Sequence, residues 1–207
     1  MLEFAKKTVL MRVILIILAV SVLASCANTQ HKIAVEPELY VKQIDFGKEN
    51  SISLKVVDKR SKFAVLDKKA APKSGLSSKF HRVTIVPRSS IADPILRKVK
   101  EGLKQLGFRP LSGGKSARRL LLEVVQWKMG YQHQVTAGKV HVKLNTAIKV
   151  TAGNKGKFYK NIYKTTSAKS SRMLVGKFKN EEFANTGLSI VLQKIFEDKK
   201  LLVFLAE

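Results

Sequence analysis

From Lys139 to Val150 the chain alternates without a break. Val140, Val142, Leu144, Thr146, Ile148 and Val150 fall on one side, and His141, Lys143, Asn145 and Lys149 on the other. A period of two held over this length fits an extended strand with one face in a core and the other in water. Ala152–Lys157 (AGNKGK) then makes a turn and Phe158–Thr166 returns as a second strand, so the pair reads as a hairpin. A chain carrying this hairpin has to build a sheet and cover its apolar face with something equally apolar.

The rest of the chain supplies the cover. Asp93-Pro94 offers an N-cap and a first-turn proline, after which Ile95, Leu96, Val99, Leu103 and Leu106 recur at helical spacing until Gly107 stops the helix. A closing helix starts near Asn180, with Glu181 and Glu182 at its positive end and Ala184, Leu188, Val191, Leu192 and Ile195 along one face. The tail Leu201–Ala206 extends this helix or packs by itself. Strands are expected at Ser51–Val57, Arg82–Val86 and Leu120–Met129, with Asp67–Lys79 an exposed loop and Phe108–Lys115 a turn-rich link. These elements add up to an α+β domain over 51–207. It is a single, mostly antiparallel sheet of about five strands with two helices on one face.

The N-terminus belongs to a different class of sequence. Lys6, Lys7 and Arg12 precede the apolar run Val13–Ala24, which is short of the roughly 20 residues needed to span a bilayer. A basic start followed by a short apolar stretch is the layout of an export signal. It ends in Leu23-Ala24-Ser25-Cys26, which resembles the lipobox of bacterial lipoproteins. There the thiol takes a diacylglycerol group, and cleavage leaves the cysteine as an acylatable first residue. Residues 1–25 are therefore expected to be a lipoprotein signal peptide, Cys26 the lipidated residue, and 26–50 a tether broken by Pro37. Three fatty acyl (palmitate-type) chains exceed the two that stable anchoring needs. Ala27, where an Asp would retain the protein in the inner membrane, points to the outer membrane facing the periplasm. Cys26 is the only cysteine, so no intramolecular disulfide exists.

Charge is the compositional anomaly. Lys and Arg number 39 against 15 Asp and Glu, a net charge of +24, of which the signal peptide removes only two. Such a balance favours an anionic partner, unless lysine simply fills the solvated positions of a lysine-rich proteome. Candidate contacts are Arg97, Lys98 and Lys104 on the first helix and Lys139, Lys143 and Lys149 on the polar side of the long strand.

Enzyme signatures are missing. Gly113-Gly114-Lys115-Ser116 fails as a phosphate loop because Arg109 stands where its first glycine belongs. His31, His81, His133 and His141 have no metal-ligand spacing, and no carboxylate pair or nucleophile elbow is present. No catalytic residue, metal or cofactor is expected. Tyr131, Phe158, Tyr159 and Tyr163 lie near lysines, as in RNA-binding modules, but export to the periplasm argues against nucleic acid.

The lipobox, the strand ending in Val57-Asp58-Lys59-Arg60, the helix ending in Leu106-Gly107-Phe108, the Leu120–Val125 strand, the 139–150 strand and the closing helix come in one order. In that order the chain resembles the YajG family of small bacterial lipoproteins over roughly residues 50–205. This chain is more basic and has a longer lysine-rich loop at 67–79. The resemblance implies an envelope lipoprotein without an assigned activity and adds no catalytic residue. The expected role is a non-enzymatic accessory protein engaging an anionic lipid, a glycan or an envelope protein; the alternative is an adaptor in an envelope transport or surface-assembly complex.

Overall fold

The computed structural model describes residues 28–61, 66–70, 81–113, 116–132, 140–171 and 177–207. The expected signal peptide, Cys26, Ala27, residues 71–80 of the expected loop, Gly114, Lys115, His133 and Lys139 lie outside the described residues. In chain order the elements are β1 (Asn28–Ile33), β2 (Ser51–Asp58), β3 (Leu66–Ala70), β4 (His81–Pro87), α1 (Ala92–Gln105), β5 (Arg109–Ser112), β6 (Arg118–Gln132), β7 (Val140–Asn154), β8 (Lys157–Ser171), α2 (Lys177–Phe196) and α3 (Lys199–Ala206).

The α+β class holds, with a five-stranded sheet in the order β5-β2-β6-β7-β8. Its larger part is the antiparallel meander β6-β7-β8, while β2 runs parallel to both β5 and β6. The expectation of one sheet needs correction. The Arg82–Val86 strand is β4, the centre of a separate three-stranded sheet β1-β4-β3, parallel to β1 and antiparallel to β3. The expected link after Gly107 also hides a strand. Residues 109–112 are β5, an edge strand where Pro110 needs no ladder partner for its missing N–H.

Alternation in β7 is as expected, with Val142, Leu144, Thr146, Ile148 and Val150 all buried. Lys155 and Gly156, at φ 48° and 81°, close the hairpin. Both central residues in the left-handed region make the turn that matches the twist of the flanking strands. Strand β6 looks apolar on both sides because a β-bulge at Val124/Gln126 shifts its phase. Leu120, Leu122 and Val124 are buried before the bulge and Trp127 and Met129 after it, leaving Val125 38% exposed.

Helix α1 covers β2 and β5 with Ile95, Val99 and Leu103. It begins one turn corner earlier than expected. Ile91 is the N-cap, the Ala92 amide donates to Ser90 Oγ at 3.2 Å, and Asp93 lies inside the first turn. Gly107 (φ 77°) ends it, in the left-handed conformation glycine adopts freely. Helix α2 starts at Lys177 and not at Asn180, which is buried within it. The tail is the separate helix α3, capped by Asp198, whose Oδ1 accepts the Lys200 and Leu201 amides at 3.0 and 3.2 Å. All three described helices share one core with the sheet, and its buried apolar side chains lie between Ile33 and Leu205.

Residues 33–40, expected within the tether, are docked along α2. Ile33, Val35 and Pro37 are buried, and the alternate amides reach side chains of the helix. Ala34 N–H donates to Glu181 Oε2 at 2.9 Å, Glu36 to Asn185 Oδ1 at 3.0 Å, Glu38 to Ser189 Oγ at 2.8 Å and Tyr40 to Gln193 Oε1 at 3.2 Å. The match is metric. Two extended residues advance about 6.6 Å and four helical residues about 6.0 Å, so every second amide meets every fourth side chain. Pro37 falls at an odd position, where no amide is called for. Asn185 also donates to the Ala34 carbonyl at 3.1 Å. Asn185→Ala is therefore expected to cost about 1–2 kcal/mol, from two hydrogen bonds. Hydrogen exchange checks it: protection should fall at Ala34 and Glu36 and persist in β7.

Candidate functional site

The described helices pack on one face of the five-stranded sheet, and basic residues gather on the opposite face. Lys55 comes from β2, Arg119 and Lys128 from β6, Lys143 and Lys149 from β7, and Lys160 and Lys164 from β8. Each occupies the strand position opposite a core-facing residue, so the pleat alone puts all seven on one side. Among the described strand residues on this face the acidic one is Glu123, which pairs with Lys149 at 3.3 Å. Two large apolar side chains sit among the cations on β8, Phe158 at 73% exposure and Ile162 at 49%. Lys149, Lys160, Ile162 and Lys164 rim a shallow open depression.

The sequence candidates divide. Lys143 and Lys149 lie on this face; Arg97, Lys98 and Lys104 lie on α1, across the sheet from it, and Lys98 pairs with Glu101 at 3.2 Å. The six share their charge, but the five described ones fall on two sides because α1 packs on the apolar side of the sheet. Lys55, Arg119, Lys128, Lys160 and Lys164 were missed. Their signal was the hairpin register, in which Lys149 faces Ile162 and Ala147 faces Lys164.

Strand β8 is an edge, yet its middle is already occupied. The Ile162 amide donates to Asn161 Oδ1 at 2.8 Å, and Lys194 Nζ donates to the Lys164 carbonyl at 3.0 Å. Partner groups here meet side chains and not a free backbone ladder.

On the helix side of the same strand, Asp198 Oδ2 accepts the hydroxyls of Tyr159 at 2.6 Å and Tyr163 at 2.5 Å. Burial would raise this carboxyl, but the two hydroxyls and the Leu201 and Lys200 amides hold it below the usual carboxylate range. Burial and the bonds to Asp198 push both phenols above the ordinary tyrosine value. The phenols are thus neutral donors, and the cluster ties the start of α3 to β8. It has the chemistry of a clamp and not of a general base. Among the described residues, no three His, Cys, Asp or Glu gather at a metal-binding distance, and no helix is long and apolar enough to cross a membrane.

Several solved structures resemble the fold. A Xanthomonas campestris protein of the DUF330 family superposes with a TM-score of 0.46 at 12% identity, covering 81% of this chain and 91% of that one. A Helicobacter pylori homolog of a neuraminyllactose-binding hemagglutinin gives 0.44 at 8% identity, with 84% and 96% covered. A minor lipoprotein from Acinetobacter baumannii gives 0.38 at 11%, with 76% and 93% covered. No curated protein matches the sequence. The family described as uncharacterized lipoprotein matches residues 37–206, nearly the whole folded domain. That match and the expected order of strands and helices make this chain a member of the YajG family of lipoproteins.

Proposed function

We propose that this lipoprotein is a non-enzymatic accessory protein of the cell envelope, held by lipid on Cys26 at the outer membrane and facing the periplasm. Its basic sheet face engages an anionic envelope component, a lipid headgroup or an acidic glycan. The observation that carries this reading is the concentration of seven cations from β2, β6, β7 and β8 against Glu123 on the sheet face opposite the described helices. A flat cationic platform raises the local concentration of anions and binds them through many weak contacts.

The test uses the chain from Ala27 onward, which retains every buried core side chain described here. Lys143→Glu, Lys160→Glu and Lys164→Glu together should weaken binding to phosphatidylglycerol vesicles on the order of a hundredfold, at about 1 kcal/mol per lysine. Reversal of Arg97, Lys98 and Lys104 on the other side should leave binding within about twofold. Equal losses from both sets would mean that charge acts only in bulk, and the reading would fail.

Phe158 and Ile162 favour a second reading, in which the same face docks a protein of a transport or surface-assembly complex. Salt separates the two. Charge-driven binding weakens steeply as ionic strength rises, whereas docking on exposed apolar rings persists.

A further inference from the structure

A second surface, independent of the sheet face, lies where the docked N-terminal segment leaves α2. Tyr40 is held there through its amide by Gln193, and the Ile44 amide donates to the Gln105 carbonyl at 2.9 Å. The stretch between these two anchors lines a groove of about 580 Å³. The buried side chains of Leu106 and Phe196 line it together with Phe46, Leu202 and Val203. Of the large apolar side chains exposed in the described residues, Tyr40 (85%), Ile44 (49%) and Val203 (46%) all border this one groove.

We propose that this groove binds one fatty acid, with its acyl chain along Leu106, Phe196 and Val203 and its carboxylate against Lys42 and Lys199. The occupant follows from three properties of the site. The lining is overwhelmingly apolar, so the buried part of the ligand is hydrocarbon. Two exposed lysines stand on the rim against one acid, Glu197, whose Oε1 already accepts from Gln193 Nε2 at 3.0 Å. An anionic head therefore finds a partner at the mouth. The volume is that of a small-molecule site, which admits one acyl chain and not the pair of a membrane phospholipid.

The site is pre-formed on rigid elements. The α1 and α2 ends meet tightly beneath it, where a side chain at Gly102 would come within 2.7 Å of Phe196 and 2.8 Å of Leu39. Lys143, Lys160 and Lys164 take no part, so failure of the sheet-face reading leaves this one standing, and the reverse.

The test is photolabelling of the chain from Ala27 onward with palmitic acid carrying a mid-chain diazirine, followed by mapping of the adducts. Saturable labelling within 40–46 and 196–203 is expected. Val203→Trp, at an exposed position that tolerates the larger ring, should fill the groove and reduce labelling about tenfold or more, a loss of about 1.4 kcal/mol. Lys42→Glu with Lys199→Glu should weaken it about tenfold, as reversal of two surface ion pairs implies. Hexadecanol should compete poorly, because it lacks the charge. Adducts scattered over the surface, or unchanged labelling of Val203→Trp, would overturn the site. Equal competition by hexadecanol would overturn the anionic head, and stronger competition by a lysophospholipid would overturn the fatty acid. A dimer that Val203→Trp dissociates, with no palmitate adduct, would instead make the groove a contact between two copies of the chain and sink the proposal.

Discussion

Replacing Trp127 with alanine is expected to destabilise the domain by about 3–5 kcal/mol, a large share of the stability of any single domain. The ring is 1% exposed and lies between β6 and α2, where its Nε1–H donates to the Ala184 carbonyl at 2.9 Å. The Arg60 guanidinium lies over the ring, 5.3 Å from its centroid. Truncation leaves a cavity, removes the strand-to-helix hydrogen bond and takes the aromatic shelf from the arginine. Because Trp127 is the sole tryptophan, denaturant unfolding should be followed by circular dichroism in place of fluorescence. Trp127→Phe keeps most of the volume and should lose about 1–2 kcal/mol, chiefly from the lost indole N–H hydrogen bond. An unchanged midpoint for the alanine variant would show that β6 and α2 do not unfold together.

Asp58→Ala should be nearly as costly, about 2–4 kcal/mol, because it removes the carboxylate from a buried guanidinium. Asp58 Oδ1 accepts Arg60 Nε at 2.8 Å and the Arg60 amide at 3.2 Å, while Oδ2 pairs with Nη2 at 2.8 Å. The Arg60 side chain is only 3% exposed and that of Asp58 16%, so solvent screens the pair weakly. Burial would raise the Asp58 carboxyl, but the hydrogen bonds and charge of Arg60 hold it below the ordinary value of 3.8. A depressed folded pKa fixes the sign. The stabilisation is complete above the unfolded carboxylate range and is lost as pH falls through the lower folded value. Wild type should therefore lose stability below about pH 4 more steeply than Asp58→Ala. Asp198, depressed for its own reasons, titrates in both proteins and cancels from the difference. A double-mutant cycle with Trp127→Ala should be non-additive, since both residues hold Arg60.

Periodicity made the long hairpin and the buried stripe of α1 readable from residues alone. Val142 to Val150 and Ile95, Val99 and Leu103 repeat at the spacing of their element, and burial follows the repeat. Elements whose partners are distant in sequence were not readable. Strand β5 is four residues with a proline, and only its parallel pairing with Ser51–Leu54 makes it a strand. The segment after β1 looks like a linker because its hydrogen bonds go to residues 147 to 153 positions away. Glu181 was read as a helix-end charge, but its carboxylate is the first rung for that segment. The basic face was half readable. Alternation pointed to Lys143 and Lys149, but the company they keep depends on register across four strands. Arg97 and Lys104 share their charge without sharing their side of the sheet.

The docked N-terminal segment has one more consequence. With β1 beginning at Asn28, the proposed lipid on Cys26 would leave a leash of at most about two peptide units, some 7 Å if extended. A free segment as far as Asn50 would have allowed a standoff several times greater. The domain would then ride directly on the headgroups with a fixed attitude, and its search volume would be little more than its own rotation and lateral drift. Ligands and partners would have to come to the membrane surface to be met.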